Sequence, residues 1–283
     1  MREAGCTATQ EIAFTLSNGL EYLSQAIESG MNIDDVAPRM SFFFGCHNDF
    51  FEEVAKFRAA RQLWHDLVTE RFEPTNPKSS MLRFHTQTAG VTLTAQQPLN
   101  NAVRVSYQAL SAVLGGTQSL HTNSYDEAIG LPTEESALLA LRTQQILAEE
   151  TNIPNSVDPL AGSYLVEELT SKLYRNSRDL IEEIDNLGGA MQCVIAGYQQ
   201  RHIHEAAWNQ LQSIEDGTTK VIGVNSFAEA ETSDIVGHIQ NPAIAELQRD
   251  NIAEIIDKRD LVKADQCIRS IEEALIDGSN LME

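Results

Sequence analysis

The stretch from Leu82 to Pro132, LRFHTQTAGVTLTAQQPLNNAVRVSYQALSAVLGGTQSLHTNSYDEAIGLP, determines the fold that we predict for this chain. Two short strand-like segments, RFHTQT and TQSLHTN, are joined in it by a long helical pattern. Strands joined by a helix are expected to be parallel neighbours, and parallel sheets normally bury both faces. Both segments are nevertheless rich in polar side chains, and buried polar groups need a ligand or a hydrogen-bond network.

Alternation along the strands sorts these polar residues by face. The first strand places Arg83, His85 and Gln87 on one face. The second strand separates Gln118, Leu120 and Thr122 from Ser119, His121 and Asn123. If the sheet belongs to a barrel, its interior would normally be filled by bulky branched side chains, so a polar face predicts a channel. Together with Arg39 and Arg83, such a channel suits an extended ligand that carries amide and phosphate groups. A single His or Gln at such a position is more often a buried group with satisfied hydrogen bonds, and both interpretations stay open.

Composition limits the class of protein. The 283 residues include 20 basic and 41 acidic residues, and the net charge of −21 argues against nucleic acid and anionic membranes as partners. We expect most of the acidic residues to lie on solvated helix faces. No apolar run approaches the roughly 18 to 20 residues that cross a bilayer. The N-terminal residues lack the basic start and apolar core of a signal peptide, so we expect a cytoplasmic protein.

Other kinds of site find little support in the residues. The four cysteines are Cys6, Cys46, Cys193 and Cys267. They form no CxxC pair and have no histidines at zinc-type spacing, so we expect reduced thiols and no metal site. Ser119, His121 and Asp126 lie close in sequence but lack the G-x-S-x-G turn of acyl hydrolases. No glycine-rich phosphate fingerprint follows a strand, which weakens a dinucleotide-binding interpretation.

The remaining elements continue the alternation of strands and helices. The pattern predicts a helix capped by Thr7 or Thr9, then a strand at 40–45 and a helix that begins at Asn48 or Asp49. Further helices are predicted at 101–114 and after a cap at Thr133. An extended piece near NSVDP and a helix from Gly162 follow. This spacing is typical of βα units in a parallel sheet. Because a closed (β/α)₈ barrel takes about 250 residues, the first part of the chain predicts half a barrel. From about Tyr174 the pattern is helical, interrupted by a strand-like insert, KVIGVNSF.

Four longer stretches carry a resemblance to a known family: SFFFGCHNDFFEEVAKFRAARQLW, LRFHTQTAGVTLTAQQPLNNAVR, GGTQSLHTNSYDEAIGLPT and VDPLAGSYLVEELT. They resemble the large, catalytic subunit of adenosylcobalamin-dependent acyl-CoA mutases, methylmalonyl-CoA mutases above all. The resemblance implies an α/β fold, the C-terminal half of a TIM (β/α)₈ barrel followed by a mainly helical extension. It implies a CoA- and substrate-binding partial barrel over 1–173 and a helical extension or linker over 174–283.

The same resemblance implies roles for individual residues. Arg39 and Ser41 match positions that bind the CoA chain, while a second group matches positions that line the substrate tunnel: Arg83, His85, Gln87 and Gln118. A third group matches positions that contact the cobalamin or its adenosyl group: Gly90, Glu127 and Gly130. The implied reaction is a radical rearrangement, started by homolysis of the cobalt–carbon bond of adenosylcobalamin, in which the acyl-CoA thioester group migrates between adjacent carbons. His85 is expected to act in catalysis as a neutral donor or positioning group.

The resemblance also has departures. The family's Tyr-His pair, which contacts the reacting acyl group, is expected immediately before the residues that align with MREAG, and no DxHxxG motif for the cobalt's lower ligand occurs in the sequence. We therefore expect an internal piece, either a truncated reading frame or one part of a split enzyme. It would need an N-terminal barrel half and a cobalamin-binding domain or subunit, and would be inactive alone. Isobutyryl-, 2-hydroxyisobutyryl- and ethylmalonyl-CoA mutases stay open as alternatives, as does a non-catalytic assembly module.

Overall fold

The computed structural model describes residues 1–229 and 243–281. The chain divides into two compact units, Met1–Gly237 and His238–Glu283. The described part of the first unit contains the strands β1 (Phe42–Cys46), β2 (Phe84–Thr88) and β3 (Ser119–His121). Its helices are α1 (Ala8–Glu28), α2 (Ile33–Val36), α3 (Phe50–Phe72), α4 (Asn100–Leu114), α5 (Glu134–Glu149), α6 (Tyr164–Asn186), α7 (Gly189–Ile195) and α8 (Tyr198–Glu215). The second unit contains α9 (Ala243–Asp257) and α10 (Leu261–Asp277).

The three strands form one parallel sheet in the order β1-β2-β3. Helices α3 and α4 connect consecutive strands, as expected for parallel neighbours. The register pairs Phe43 with His85 and His85 with Ser119. The prediction of parallel βα units is therefore confirmed, although β3 is only three residues long.

One face of the sheet is covered by the hydrophobic core. Phe44, Phe84 and Thr86 are buried there, and the ring of Phe57 on α3 stacks on that of Phe84 at a centroid distance of 5.2 Å. Burial of each aromatic side chain stabilises the fold by about 1.5–3 kcal/mol relative to exposure. The predicted alternation on β2 is confirmed, since its residues are alternately buried and half-buried.

Side-chain caps fix where the helices begin. Thr7 accepts a hydrogen bond from the backbone N–H of Gln10, whose side chain accepts one from Thr7 N, so α1 begins with a capping box. The carboxylate of Asp49 accepts from Glu52 N at the start of α3, and Thr133 caps α5 as predicted. Each such cap satisfies a backbone donor that the helix leaves without a partner.

The first residues form a short 3₁₀ turn, Arg2–Ala4, that is followed by Gly5. Gly5 has a φ of 103°, and a Cβ atom at this position would lie 2.5 Å from the Cβ of Ala207 on α8. Glycine is therefore required for two reasons, its left-handed backbone and its close approach to α8. The contact holds the N-terminal turn against a helix near the other end of the first unit.

Two predicted extended segments are wrong. The NSVDP region forms a 3₁₀ turn, Ile153–Asn155, and bends, while KVIGVNSF is a turn with a single bridge between Ile222 and Ser226. Side-chain bonds explain the latter, because Asn225 accepts from Val221 N and donates to two carbonyls. The division at 173/174 falls inside α6, and the two-domain assignment stays a prediction.

The second unit consists, in its described residues, of two helices with apolar residues exposed along their length. The helical pattern predicted from Asn241 is confirmed from 243 onward as α9 and α10, and its first two residues lie outside the described residues. Asp260 caps α10 through Lys263 N. In the described ranges, no helix combines the length and apolar character that a membrane-spanning segment needs.

Candidate ligand-binding face

The uncovered face of the sheet carries the polar residues that the alternation predicts. We call it the open face and define it by Phe43, His85, Gln87, Ser119 and His121. The ring of Phe43 lies 5.3 Å from the imidazole of His85, and His85 Nδ1 lies 2.7 Å from Ser119 Oγ. The side chains therefore form a row across all three strands.

His85 occupies the middle of the open face. Partial burial lowers the pKa of its imidazole, and the neighbouring His121 lowers it further. The ring is therefore uncharged at neutral pH, with one nitrogen that donates and one that accepts. Because Nδ1 bonds to Ser119, the other nitrogen can serve a ligand.

The N-terminal ends of β1 and β2 bring together two predicted CoA-binding residues, Arg39 and Ser41, and one predicted tunnel residue, Arg83. Arg39, Ser41 and Arg83 are all exposed. The Arg83 guanidinium donates to the carbonyls of Pro38 and Met40, the latter at 3.1 Å, so the backbone before β1 fixes its position. Arg39 Nη1 donates to a carbonyl one turn earlier, at 3.0 Å. Exposed guanidinium groups at this end can attract an anionic group such as phosphate.

The opposite ends of the strands form a corner around Gly90. A Cβ atom at Gly90 would lie 2.8 Å from Asn123 Nδ2 and 3.3 Å from Glu127 Cγ, so the absence of a side chain lets Asn123 and Glu127 pack against the backbone here. Partial burial raises the pKa of the Glu127 carboxyl. The nearby His121 acts to lower this pKa, and the charge of Glu3 acts to raise it. We call this group of four residues the Gly90 corner: Glu3, Gly90, Asn123 and Glu127.

Two residues of the Gly90 corner, Glu3 and Asn123, are not among the site residues predicted from the sequence. The carboxylate of Glu3 accepts hydrogen bonds from Gly90 N at 2.9 Å and Val91 N at 2.8 Å. No local pattern signals this contact, because its partners are 87 and 88 residues apart in sequence. Asn123 could have been predicted from the sequence, since it continues the alternation of Ser119 and His121. Its Oδ1 accepts a hydrogen bond from Gln87 Nε2 at 3.0 Å.

Two other predicted site residues lie apart from these groups. Gln118 precedes β3 on the side opposite to Ser119, and its Oε1 accepts from Phe84 N at 2.8 Å, which continues the sheet's hydrogen bonding. Gly130 is exposed, and a Cβ atom there would meet no other atom within 4 Å. The binding roles of both residues stay predictions.

One buried polar group of the Gly90 corner lacks a hydrogen-bond partner in the part of the chain that the structure describes. Asn123 is buried, and its Nδ2 has no hydrogen-bond partner among the described residues, although its Oδ1 does. A buried donor without a partner costs about 1–3 kcal/mol, and a hydrogen-bond acceptor that reached Asn123 Nδ2 would remove that cost. Across the described ranges, no group of three or more His, Cys, Asp or Glu residues could hold a metal ion.

The fold is therefore a parallel α/β sheet whose open face carries polar groups from one strand end to the other, the arrangement that an extended polar ligand needs. The family model described as methylmalonyl-CoA mutase matches residues 1–283, and the chain belongs to that family. It is 45% identical over 284 residues to a methylmalonyl-CoA mutase of Cereibacter sphaeroides, covering 100% of this chain and 40% of that protein.

Two eukaryotic relatives show the same relation. The chain is 44% identical over 284 residues to a probable mitochondrial methylmalonyl-CoA mutase of Caenorhabditis elegans, covering 100% of the chain and 38% of the relative. It is 43% identical over 279 residues to the mitochondrial methylmalonyl-CoA mutase of Homo sapiens, covering 98% and 37%. The chain thus spans about two fifths of the length of the curated relatives that it matches.

Proposed function

We propose that this chain supplies one wall of the substrate channel in an adenosylcobalamin-dependent acyl-CoA mutase that interconverts methylmalonyl-CoA and succinyl-CoA. The open face is the observation that carries the proposal. Its polar groups extend from the arginines at one end of the strands to the Gly90 corner at the other. Strands of five residues span about 17 Å, which suits an extended chain such as pantetheine.

Each group of residues has a role that its contacts support. Arg39, Ser41 and Arg83 would bind the phosphate-bearing part of CoA. Uncharged His85 would donate to or orient the acyl group, since its Nδ1 is already bonded to Ser119. Gln87 would line the channel beside it, because its amide is fixed by Asn123. The acyl-CoA is thereby oriented along the strands.

The Gly90 corner would hold the adenosyl part of the cofactor. Asn123 and Glu127 pack against Gly90 and would offer hydrogen-bonding groups there to a ribose or corrin edge. When bound, adenosylcobalamin supplies the radical that removes a hydrogen atom from the substrate. The chain's own residues orient the substrate and exclude water, while Gln118 and Gly130 are proposed to make further substrate and cofactor contacts.

The proposal includes the wider assembly. Within the described residues, β1 and β3 each pair with one strand only, which leaves hydrogen-bonding edges that a completed TIM barrel would occupy. Residues 1–173 would form the C-terminal half of that barrel and 174–283 a helical extension. The partners would be an N-terminal barrel half and a cobalamin-binding domain or subunit, and the assembly would act in the cytoplasm.

A chimera tests the proposal. This chain replaces the matched segment of the Cereibacter sphaeroides relative, and conversion of methylmalonyl-CoA is measured with added adenosylcobalamin. We expect activity from the chimera and none from the isolated chain. His85→Ala should lower kcat/KM by about 100-fold, within the usual range for a group that assists proton transfer or polarisation. The control His65→Ala, at an exposed position on α3, should leave kcat/KM unchanged.

Three outcomes would contradict this assignment. A folded chimera that binds adenosylcobalamin but lacks turnover would favour a non-catalytic module. Turnover by the isolated chain would overturn the need for partners. Equal kcat/KM values for His85→Ala and the unmodified chimera would remove His85 from the site.

A further inference from the structure

Four buried charged residues lie beneath the C-terminal end of β1. We call them the buried ion network: Arg2, Glu11, Glu53 and Lys56. The side chains of Glu53 and Lys56 are 0% exposed. Arg2 Nη2 lies 2.8 Å from Glu53 Oε1, Lys56 Nζ lies 2.7 Å from Glu11 Oε2, and Lys56 also pairs with Glu53. Each of these buried charges lies beside one of opposite sign, which is how buried charges are tolerated, and the partly exposed Glu52 adds a carboxylate 3.5 Å from Arg2 Nη2.

The buried ion network is hydrogen-bonded to the backbone of β1 at Gly45. Lys56 Nζ donates to Gly45 O at 2.6 Å, and Glu11 Oε1 accepts from Gly45 N at 2.7 Å. A Cβ atom at Gly45 would lie 3.0 Å from Arg2 Cβ. The network is therefore fixed to the strand that carries Phe43 on the open face.

Arg2 connects this fixed network to the N-terminal turn. Its Nη1 donates to Cys6 O at 2.6 Å while its Nη2 bonds to Glu53, so one guanidinium spans the turn and α3. Glu3, the next residue, directs its carboxylate to Gly90 N and Val91 N. Neighbouring side chains on one turn thus bond to the network and to the Gly90 corner.

We infer that Arg2 is a positioning residue that holds the Glu3 carboxylate on the backbone of Gly90 and Val91. Charge-assisted bonds are the stronger hydrogen bonds, and the planar guanidinium donates in fixed directions to Cys6 O, Glu53 and, at 3.5 Å, Glu52. The Gly5–Ala207 contact places the end of the turn but does not direct its side chains. That the corner receives a cofactor rests on the proposed function, whereas the positioning itself concerns this chain without any ligand.

Amide hydrogen exchange in the full 283-residue chain tests the inference. Arg2→Met should accelerate exchange at Gly90 and Val91 by at least about tenfold, the factor that corresponds to about 1.4 kcal/mol. The amide of Ala89, which donates to Cys46 O, should keep its rate and so report local opening only. Arg71→Met is the matched control, because Arg71 pairs with Asp185 and should leave all three amides unchanged.

Two further variants complete the test. Glu3→Gln weakens the bonds of the carboxylate directly and so defines the largest acceleration of exchange expected at Gly90 and Val91. Arg2→Lys keeps the positive charge, so the exchange rates of this variant should lie between those of wild type and Arg2→Met. If Arg2→Met does not fold, Arg2→Lys decides: unchanged exchange at Gly90 and Val91 overturns the inference. Equal acceleration of Ala89 in a folded Arg2→Met also overturns it, because the role would then be general stability. Because no ligand is present, failure here is separate from failure of the mutase proposal.

Discussion

Replacement of Lys56 by Met gives the sharpest test of how the buried charges stabilise the fold. The ammonium group is 0% exposed and bonds to Glu11, Glu53 and the carbonyl of Gly45. Methionine keeps much of the volume but none of the charge. The substitution therefore leaves two buried carboxylates with only Arg2 as a cation and removes a donor from the end of β1.

The expected loss follows from the cost of unpaired buried charge. Breaking a buried ion pair by removing one partner destabilises by about 3–5 kcal/mol. Native domains have a total stability of about 5–15 kcal/mol, so Lys56→Met should lose a large part of it. The matched control is Lys172→Met on the exposed side of α6, where surface substitutions change stability by about 0.5 kcal/mol or less.

Urea unfolding followed by tryptophan fluorescence measures the difference. Trp64 is 1% exposed in the core, whereas Trp208 is 53% exposed and responds weakly. We expect the midpoint of Lys56→Met to fall well below that of Lys172→Met without a large change in slope. A difference in unfolding free energy below about 1 kcal/mol would refute the reasoning about buried charge.

The pH dependence gives a second check on the same variant. Burial alone would raise the pKa of Glu53, but Lys56 and Arg2 outweigh it and hold the folded-state pKa below the ordinary value of 4.5. Glu53 therefore contributes stability above pH 4.5, and this contribution is lost as pH falls through the lower folded-state pKa. The gap between wild type and Lys56→Met should be widest at neutral pH and shrink in acid. A gap that widens in acid would contradict the assignment.

Two further predictions concern other sites. The Asp34 carboxylate accepts from the hydroxyls of Thr75 and Ser79, which lowers its pKa from 3.8 to about 2. Asp34→Asn should destabilise the fold at neutral pH, and urea titrations should show the difference narrowing as pH falls from 3.8 toward 2; a constant difference would contradict this. In Gly90→Ala the new Cβ would lie 2.8 Å from Asn123 Nδ2, and this overpacking should destabilise the fold by about 1–3 kcal/mol. The substitution should also weaken the binding of adenosylcobalamin to the chimera, which equilibrium titration measures. Unchanged binding would exclude the Gly90 corner from the cofactor site.

The sequence carried enough information for the helices, their caps and the faces of β2. Thr7 and Thr133 occupy positions where a hydroxyl satisfies a free backbone donor, and that chemistry is local. On β2, period two places His85 and Gln87 opposite Phe84 without any knowledge of the neighbouring strands. Acidic residues such as Glu134 are exposed on α5, as a solvated face predicts.

Features that depend on distant partners could not be read from the chain. Glu53 and Lys56 lie on a helix where charges normally face solvent, and their burial becomes tolerable only because Glu11 and Arg2 meet them. The side chain of Gln118 accepts a hydrogen bond from the backbone N–H of Phe84 at the start of β2, and no periodicity predicts that use. The 3₁₀ turn at Ile153 replaces the predicted extended piece because its bonds close locally.

The contact of Gly5 with Ala207 has a consequence for the order of folding. A ribosome that adds about 5–20 residues per second needs roughly 10–40 s between these two positions. During that interval the sheet and its covering helices can assemble through contacts of shorter sequence separation, whereas the N-terminal turn lacks the helix that it rests on. The sheet can therefore assemble first, whereas the contact of Gly5 with Ala207 forms only when α8 has left the ribosome.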